Sequence, residues 1–355
     1  MKTNHLLTLI VLAFSTLGFS QGRTALVETY TSSTCAPCAP GNANLESILG
    51  DPGNEGQYVS IKYQMYWPGT GDPYYTDECD SRRLYYGVSS VPETRLNGGS
   101  GFNPEALTQP MLDGAIAETP KCEIDAIFKV DETSQTVDIM VDVLALEDIP
   151  GGTFLQCAIY EKTTTGNVGT NGETEFYNVM KKFIPGTNGT IVPSSTDSGD
   201  VASFELSYTF NGSYTLPAGA STPIDHDVEH SVEEFTDLGV AVWIQRIASK
   251  EVFNAADAQY TWLSTEENTS SLASVKIYPN PTLDRTAIVF HSSEMQNVTI
   301  SVINSLGQEV FVDELTDVSA GREIYDLTTT NFESGIYLVT ISSKTGKLTK
   351  RLSIR

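Results

Sequence analysis

Hydrophobic and polar positions follow different rhythms in successive parts of this chain. Residues 24 to about 120 mix two of them. TALVETYT is rich in β-formers and reads as a strand, NANLESIL carries apolar residues at helical spacing, and QYVSIKYQM is a second strand. MYWPGTGDPYYTDE is an aromatic loop punctuated by proline and glycine. CDSRRLYYGV reads as a helix, ETRLNG as a short strand, and NPEALTQPMLDGAIAE as a closing helix. Asn103 caps that last helix, with Pro104 at its first position. Strand, helix, strand, helix, strand predicts an α/β domain over residues 23–120.

From residue 121 to about 262 the rhythm becomes strict alternation. CEIDAIFKV, QTVDIMVDVLAL, TFLQCAIYE, ASFELSYTF and LGVAVWIQRI are strands separated by Gly-, Asn- and Ser-rich turns. They predict an antiparallel β-sandwich of immunoglobulin-like type over 121–262. LSTEENTSSLAS, residues 263–274, is polar and aperiodic, a linker. RTAIVFH, NVTISVI, GIYLVTIS and KLTKRLSIR then predict a small β-sandwich over 275–355, with turns at SLGQ and KTGK.

The first 20 residues, MKTNHLLTLIVLAFSTLGFS, follow none of these patterns. A positive start, a short apolar run and small residues Gly18 and Ser20 make a secretory signal peptide. No later run has the apolar length of a transmembrane span. Export places the five cysteines where disulfides persist.

Charge sharpens the division. The formal net charge is −24, yet from Lys276 onward 8 basic residues nearly balance 9 acidic ones. The acidic excess therefore belongs to the body, a surface that repels nucleic acid and anionic lipid.

The candidate chemistry sits in TSSTCAPCAP, residues 31–40, between a predicted strand and a predicted helix. At a helix N-terminus the dipole favours a thiolate. Cys35 is then the nucleophile, with a pKa lowered to ~3.5–7.5 as in comparable motifs. Cys38, one turn in, is the resolving thiol, and Pro37 stiffens the turn between them. The same pair equally makes a local structural disulfide. Structural zinc commonly takes two such pairs, and this chain has one. Asp225, His226, Asp227, Glu229 and His230 cluster in an acidic stretch that reads as a solvated loop, so no metal and no cofactor is expected. Cys122 and Cys157 fall on two predicted strands and could bridge them, which spacing alone does not establish. Cys79 is left over and reads as a buried thiol. The aromatic loop around Trp67 serves either a ligand or its own anchoring.

Two resemblances add to this. KIYPNPTLDRTAIVF, VINSLGQEVF and LTTTNFESGIYLVTISSKTGKLTKRLSIR resemble the type A sorting domain carried by cargo of the type IX secretion system of Bacteroidetes. That implies the secretion machinery as a partner of residues 275–355. It also implies passage through the periplasm to the outer membrane surface or the medium. TALVETYTSSTCAPC through YYGVSSVPETRLNG, with YNVMKKFIPGTNG and LGVAVWIQRIASKEVFNA, resembles the Omp28-related outer membrane protein family, a thioredoxin-like group. This resemblance implies a thioredoxin-like fold for 23–120 and a cis Val91–Pro92 bond facing the cysteines. Pro92 would then shape a groove for a thiol or disulfide protein substrate. The chain departs from thioredoxins in having Thr34, not tryptophan, before the first cysteine, and Glu28 is the nearest candidate for their buried acid. Two functions remain open at this level: thiol–disulfide exchange at Cys35, Cys38 and Pro92, or a non-enzymatic surface binding or structural protein with a stapling disulfide.

Overall fold

A computed structural model describes residues 23–194, 196–260, 272–278, 280, 282–304 and 308–354. The signal segment, most of the linker and the turn residues 305–307 lie outside the described residues. The chain divides into two compact units, one ending at Thr261 and one beginning at Trp262.

The first unit opens with β1 (Ala25–Thr31), α1 (Cys38–Leu49), β2 (Tyr58–Gln64), α2 (Asp77–Tyr86), β3 (Glu93–Leu96) and α3 (Gln109–Ile116). Strands then follow: β4 (Cys122–Asp131), β5 (Thr136–Ala145), β6 (Thr153–Thr164), β7 (Phe176–Phe183), β8 (Thr190–Ile191) and β9 (Val201–Thr209). The series ends with β10 (Ser213–Tyr214), β11 (Glu229–His230), β12 (Leu238–Arg246), β13 (Val252–Asp257) and β14 (Gln259–Tyr260).

The elements match the local rhythms, but their assembly corrects the expected fold class. The α/β thioredoxin-like domain over 23–120, followed by a separate immunoglobulin-like sandwich, does not form. The described residues are mostly β, 47% strand against 13% helix. Strands from both predicted domains share one eight-stranded sheet ordered β13-β12-β6-β7-β2-β1-β3, with β8 pairing β6. The junction is a parallel pairing of β2 with β7 at Lys62 and Val179. β1 runs parallel to β2, Ala25 opposite Tyr58 through Thr31 opposite Gln64, and antiparallel to β3. Periodicity reports which face of a strand is buried, not which strand lies beside it.

This sheet curls. β13, on one edge, comes beside β1 and β2 from the far half. Thr24 N donates to Asn254 Oδ1 at 3.1 Å, Val252 N to Asn97 O at 3.4 Å, and the Arg23 guanidinium bonds both Val252 O and Glu118. Leu26, Tyr30, Tyr63, Phe183 and Trp243 pack together as one core on the concave side. Each such side chain contributes about 1.5–3 kcal/mol by burial. A second sheet, β14-β4-β5-β9, covers another part of the unit. Alternation in β5 turns Val137, Ile139, Val141 and Val143 inward, against Leu155, Cys157 and Ile159 of β6 and Val240, Val242 and Ile244 of β12. Leu45 and Leu49 of α1 pack with Leu112 and Ala115 of α3 on Ala25 and Val27 of β1.

The second unit contains β15 (Leu272–Tyr278), β16 (Arg285–Ser292), β17 (Gln296–Asn304), β18 (Glu309–Val318), β19 (Gly321–Thr328), β20 (Gly335–Ser343) and β21 (Lys347–Ile354). They form two sheets, β15-β16-β19 and β18-β17-β20-β21, around Ile288, Phe290, Val298, Ile300, Val302, Val339 and Ile341. Leu272 to Ser274, expected in the linker, already belong to β15. Asn280 Oδ1 accepts from Ser353 N at 2.8 Å, tying the entry of this unit to its last strand.

Candidate functional site

β1 ends at Thr31, and a tight turn leads into α1. Cys35 N donates to Ser32 O at 3.0 Å and Cys38 N to Cys35 O at 2.9 Å. The turn brings Cys35 and Cys38 into a disulfide, with Cα atoms 5.3 Å apart and Cys38 as the first residue of α1. The Val91–Pro92 bond is cis, and Cys35 Sγ lies 3.8 Å from Val91 O. A Cβ on Gly41 of α1 would meet Pro92 Cγ at 3.4 Å, so Pro92 packs beside the helix that starts at Cys38. The three sequence-predicted site residues are thus neighbours.

Both sulfurs are sealed. Cys35 is 1% exposed and Cys38 0%, while Ala36 and Pro37 between them face solvent. Two loops hold the approach to the cysteines. From the aromatic loop, the buried Asp72 accepts from Ser33 N at 2.8 Å and from Tyr74 N at 2.9 Å, and Thr34 Oγ1 donates to Pro68 O at 2.6 Å. From the loop after β6, Asn171 N donates to Ser33 O at 2.9 Å and Asn167 Nδ2 reaches Asp72 Oδ1 at 3.3 Å. Glu173 accepts from Asn42 Nδ2 of α1 at 2.9 Å. Gly169 crosses so close that a Cβ there would sit 2.5 Å from Ser33 O. Burial raises the Asp72 carboxyl to about 6, against the pull of its hydrogen-bond donors.

Glu28, the candidate for a proton-handling acid, is committed elsewhere. It is fully buried and accepts from Arg82 Nε at 2.7 Å, Tyr63 OH at 2.8 Å and Tyr86 OH at 2.6 Å. Arg82 also donates to Gln245 Oε1 at 2.8 Å and lies over the rings of Tyr85, Tyr86 and Trp243. This is a satisfied ion pair inside an aromatic cage.

The aromatic loop is largely anchored. Tyr74 is 0% exposed and donates to Glu233 Oε1 at 2.6 Å, with Lys181 Nζ 3.5 Å from its ring centre. Burial lowers the Lys181 pKa, and Glu161 at 3.0 Å opposes that. Tyr66 and Trp67 meet edge to face at the surface, with Arg83 over both rings.

Cys122 and Cys157 do not bridge. Both are free thiols in the core between the two sheets, and burial pushes the Cys122 thiol up to about 12. Cys79 is a buried thiol under Thr76, also pushed up to about 12. His230 is packed edge to face with Phe210 and Phe235, and burial draws His226 down to about 4. Sequence reasoning missed Asp72, Asn167, Asn171 and Arg82. Only the aspartate inside TGDPYY carried a signal, as a turn residue.

Residues 276–355 match the family of secretion system C-terminal sorting domains. Among solved structures, a protein of Agrobacterium tumefaciens is similar with 17% identity and a TM-score of 0.45, over 69% of this chain and 98% of that one. A domain of the outer membrane lipoprotein Omp28 from Porphyromonas gingivalis has 13% identity and a TM-score of 0.25, over 41% of this chain and 91% of that one. PorZ of the same organism, a surface component of its type IX secretion system, has 13% identity and a TM-score of 0.18, over 32% of this chain and 15% of that one. No curated protein matches the chain. The sorting domain defines the class: a protein exported by the type IX secretion system to the cell surface or the medium, which engages that machinery through its last domain. Among the described residues, no helix is long and apolar enough to cross a membrane.

Proposed function

We propose that the chain is a non-enzymatic surface binding or structural protein in which Cys35–Cys38 is a local staple. The observation that supports this is the burial of both sulfurs, 1% and 0% exposed, beneath two loops that bond the same residue, Ser33. Thiol–disulfide exchange needs an incoming thiolate to reach a sulfur. With both cysteines buried in the folded chain, that approach requires the site to open. Cys35 Sγ lies 3.8 Å from the Val91 carbonyl, an acceptor that offers a thiolate no hydrogen bond.

The opposing reading is exchange with Cys35 as nucleophile, Cys38 as resolving thiol and Pro92 shaping the substrate groove. It draws on the contact between Cys35 Sγ and the carbonyl that precedes Pro92. Equilibration of the chain lacking residues 1–20 with glutathione buffers decides between them. A staple stays oxidised to below ~−300 mV. A potential of ~−270 to −120 mV, lost in Cys35→Ser, overturns the staple reading.

A further inference from the structure

The disulfide occupies the end of the large sheet where β1 finishes. At the other end, where β1 and β2 begin, a groove of about 800 Å³ opens between the C-terminal part of α1 and β4. Its lining combines three features.

The first is an unused hydroxyl. Ser60 of β2 lines the groove at 3% exposure, and its Oγ has no hydrogen-bond partner among the described residues. Lys62, two residues on along the same face of β2, is engaged by Glu46 of the groove wall at 2.6 Å and leaves Ser60 Oγ without a bond. A buried hydroxyl without a partner is destabilising unless a ligand completes it.

The second is charge. Five carboxylates line the groove, those of Glu46, Asp51, Glu55, Asp125 and Asp257, against Lys162 in the wall. With Lys62 on Glu46 counted, the surplus is three negative charges. Asp257 is set in place by Tyr160, whose buried hydroxyl donates to Oδ1 at 2.8 Å.

The third is aromatic surface. Tyr58 and Tyr177 are half-buried in the wall beside Tyr160. The face of Tyr177 already attracts an ammonium, since Lys62 Nζ lies 5.9 Å from its centroid.

We propose that this groove binds an alkylammonium group, of a free polyamine or of a lysine side chain in a peptide. Ser60 Oγ accepts from it, Asp257 supplies the counter-charge, and Tyr58 and Tyr177 flank its methylenes. The surplus charge excludes anions. The inference rests on the reading of the chain as an exported binding protein, and names what it would bind.

The test is calorimetric titration of the exported full chain with cadaverine and with an amidated trilysine peptide, at physiological ionic strength. Pentanol serves as the neutral control. One-site binding of an amine is expected, weakened about tenfold by Asp257→Asn and several-fold by Ser60→Ala. Glu205→Gln, which removes an exposed carboxylate on β9 outside the groove, leaves it unchanged. Binding of cadaverine alone assigns a free polyamine, and binding of the peptide alone assigns a peptidyl lysine. Should Asp257→Asn fail to fold, Tyr177→Ala carries the test, with several-fold weakening expected. Absence of amine binding overturns the proposal, as does equal binding in the groove variants or equal weakening by Glu205→Gln. The glutathione titration reports separately: an inert disulfide without amine binding leaves the staple reading standing, and an exchanging disulfide with amine binding overturns that reading alone.

Discussion

The backbone N–H of Ser33 donates to the buried carboxylate of Asp72 at 2.8 Å. Through this bond a loop 39 residues further along the chain holds down the residue two before Cys35. The carboxylate is an acceptor for several donors and yet lies in a site that resists its charge.

That conflict gives a pH dependence. Asp72 is raised from 3.8 to about 6, so the folded state holds its proton more tightly than the unfolded chain. The stability this contributes is fully present below about 3.8 and is lost as pH rises through about 6. The shift corresponds to about 3 kcal/mol. Asp72→Asn removes the titration. Urea unfolding of both proteins from acid to neutral pH is expected to show the wild type losing about 3 kcal/mol relative to the variant. A constant difference across that range would refute the assignment.

Gly169→Ala tests the second loop. The added methyl meets Ser33 O at 2.5 Å, so either the loop or the cysteine turn must shift. A cost of about 1–3 kcal/mol follows for overpacking at backbone. The variant is expected to be reduced by dithiothreitol several-fold faster than wild type. Unchanged kinetics in a folded variant would mean that this loop does not control access to Cys35–Cys38.

The Glu28–Arg82 pair should be costly to break from one side. Arg82→Ala leaves a fully buried carboxylate with only tyrosine hydroxyls, at a cost of about 3–5 kcal/mol. Replacing both partners, Glu28→Gln with Arg82→Met, is expected to cost less than the sum of the single changes. Denaturant titration of the double-mutant cycle measures this coupling, and strict additivity would count against it.

Thiol counting checks the cysteine assignment. Cys79, Cys122 and Cys157 are buried thiols. Mass spectrometry after iodoacetamide should find no label on the folded chain. It should find labels on these three cysteines alone in denaturant, and on Cys35 and Cys38 as well once reductant is added. A protected Cys122–Cys157 pair in denaturant would contradict the structure.

Much of the local structure was legible. The alternation in QTVDIMVDVLAL became β5 with every second residue from Val137 to Ala145 buried, and TALVETYT became β1. The assembly was not. β7 shows no clean alternation, because it is buried on both faces over Val179 to Lys181, so nothing in it announced β2 as a neighbour. β18 and β19 went unread because their acidic residues and exposed valines and isoleucine resemble a solvated loop. At the site the cysteines identified themselves by spacing. Asp72 and Asn171 did not, because loop residues that act through one hydrogen bond each leave no period to detect.

The shared sheet also sets an order of assembly. The Cys35–Cys38 ring closes across a sequence separation of three and needs nothing beyond its own turn. β1 and β2 cannot complete their sheet until β7, β12 and β13 have arrived, the last of them near residue 257. Closing such distant pairings is slow compared with local structure. The staple can therefore form as soon as its own turn is made, while the body that buries it waits for almost the whole first unit. The disulfide is then locked in by folding, and the sulfurs are open to the cell's oxidants only during that interval.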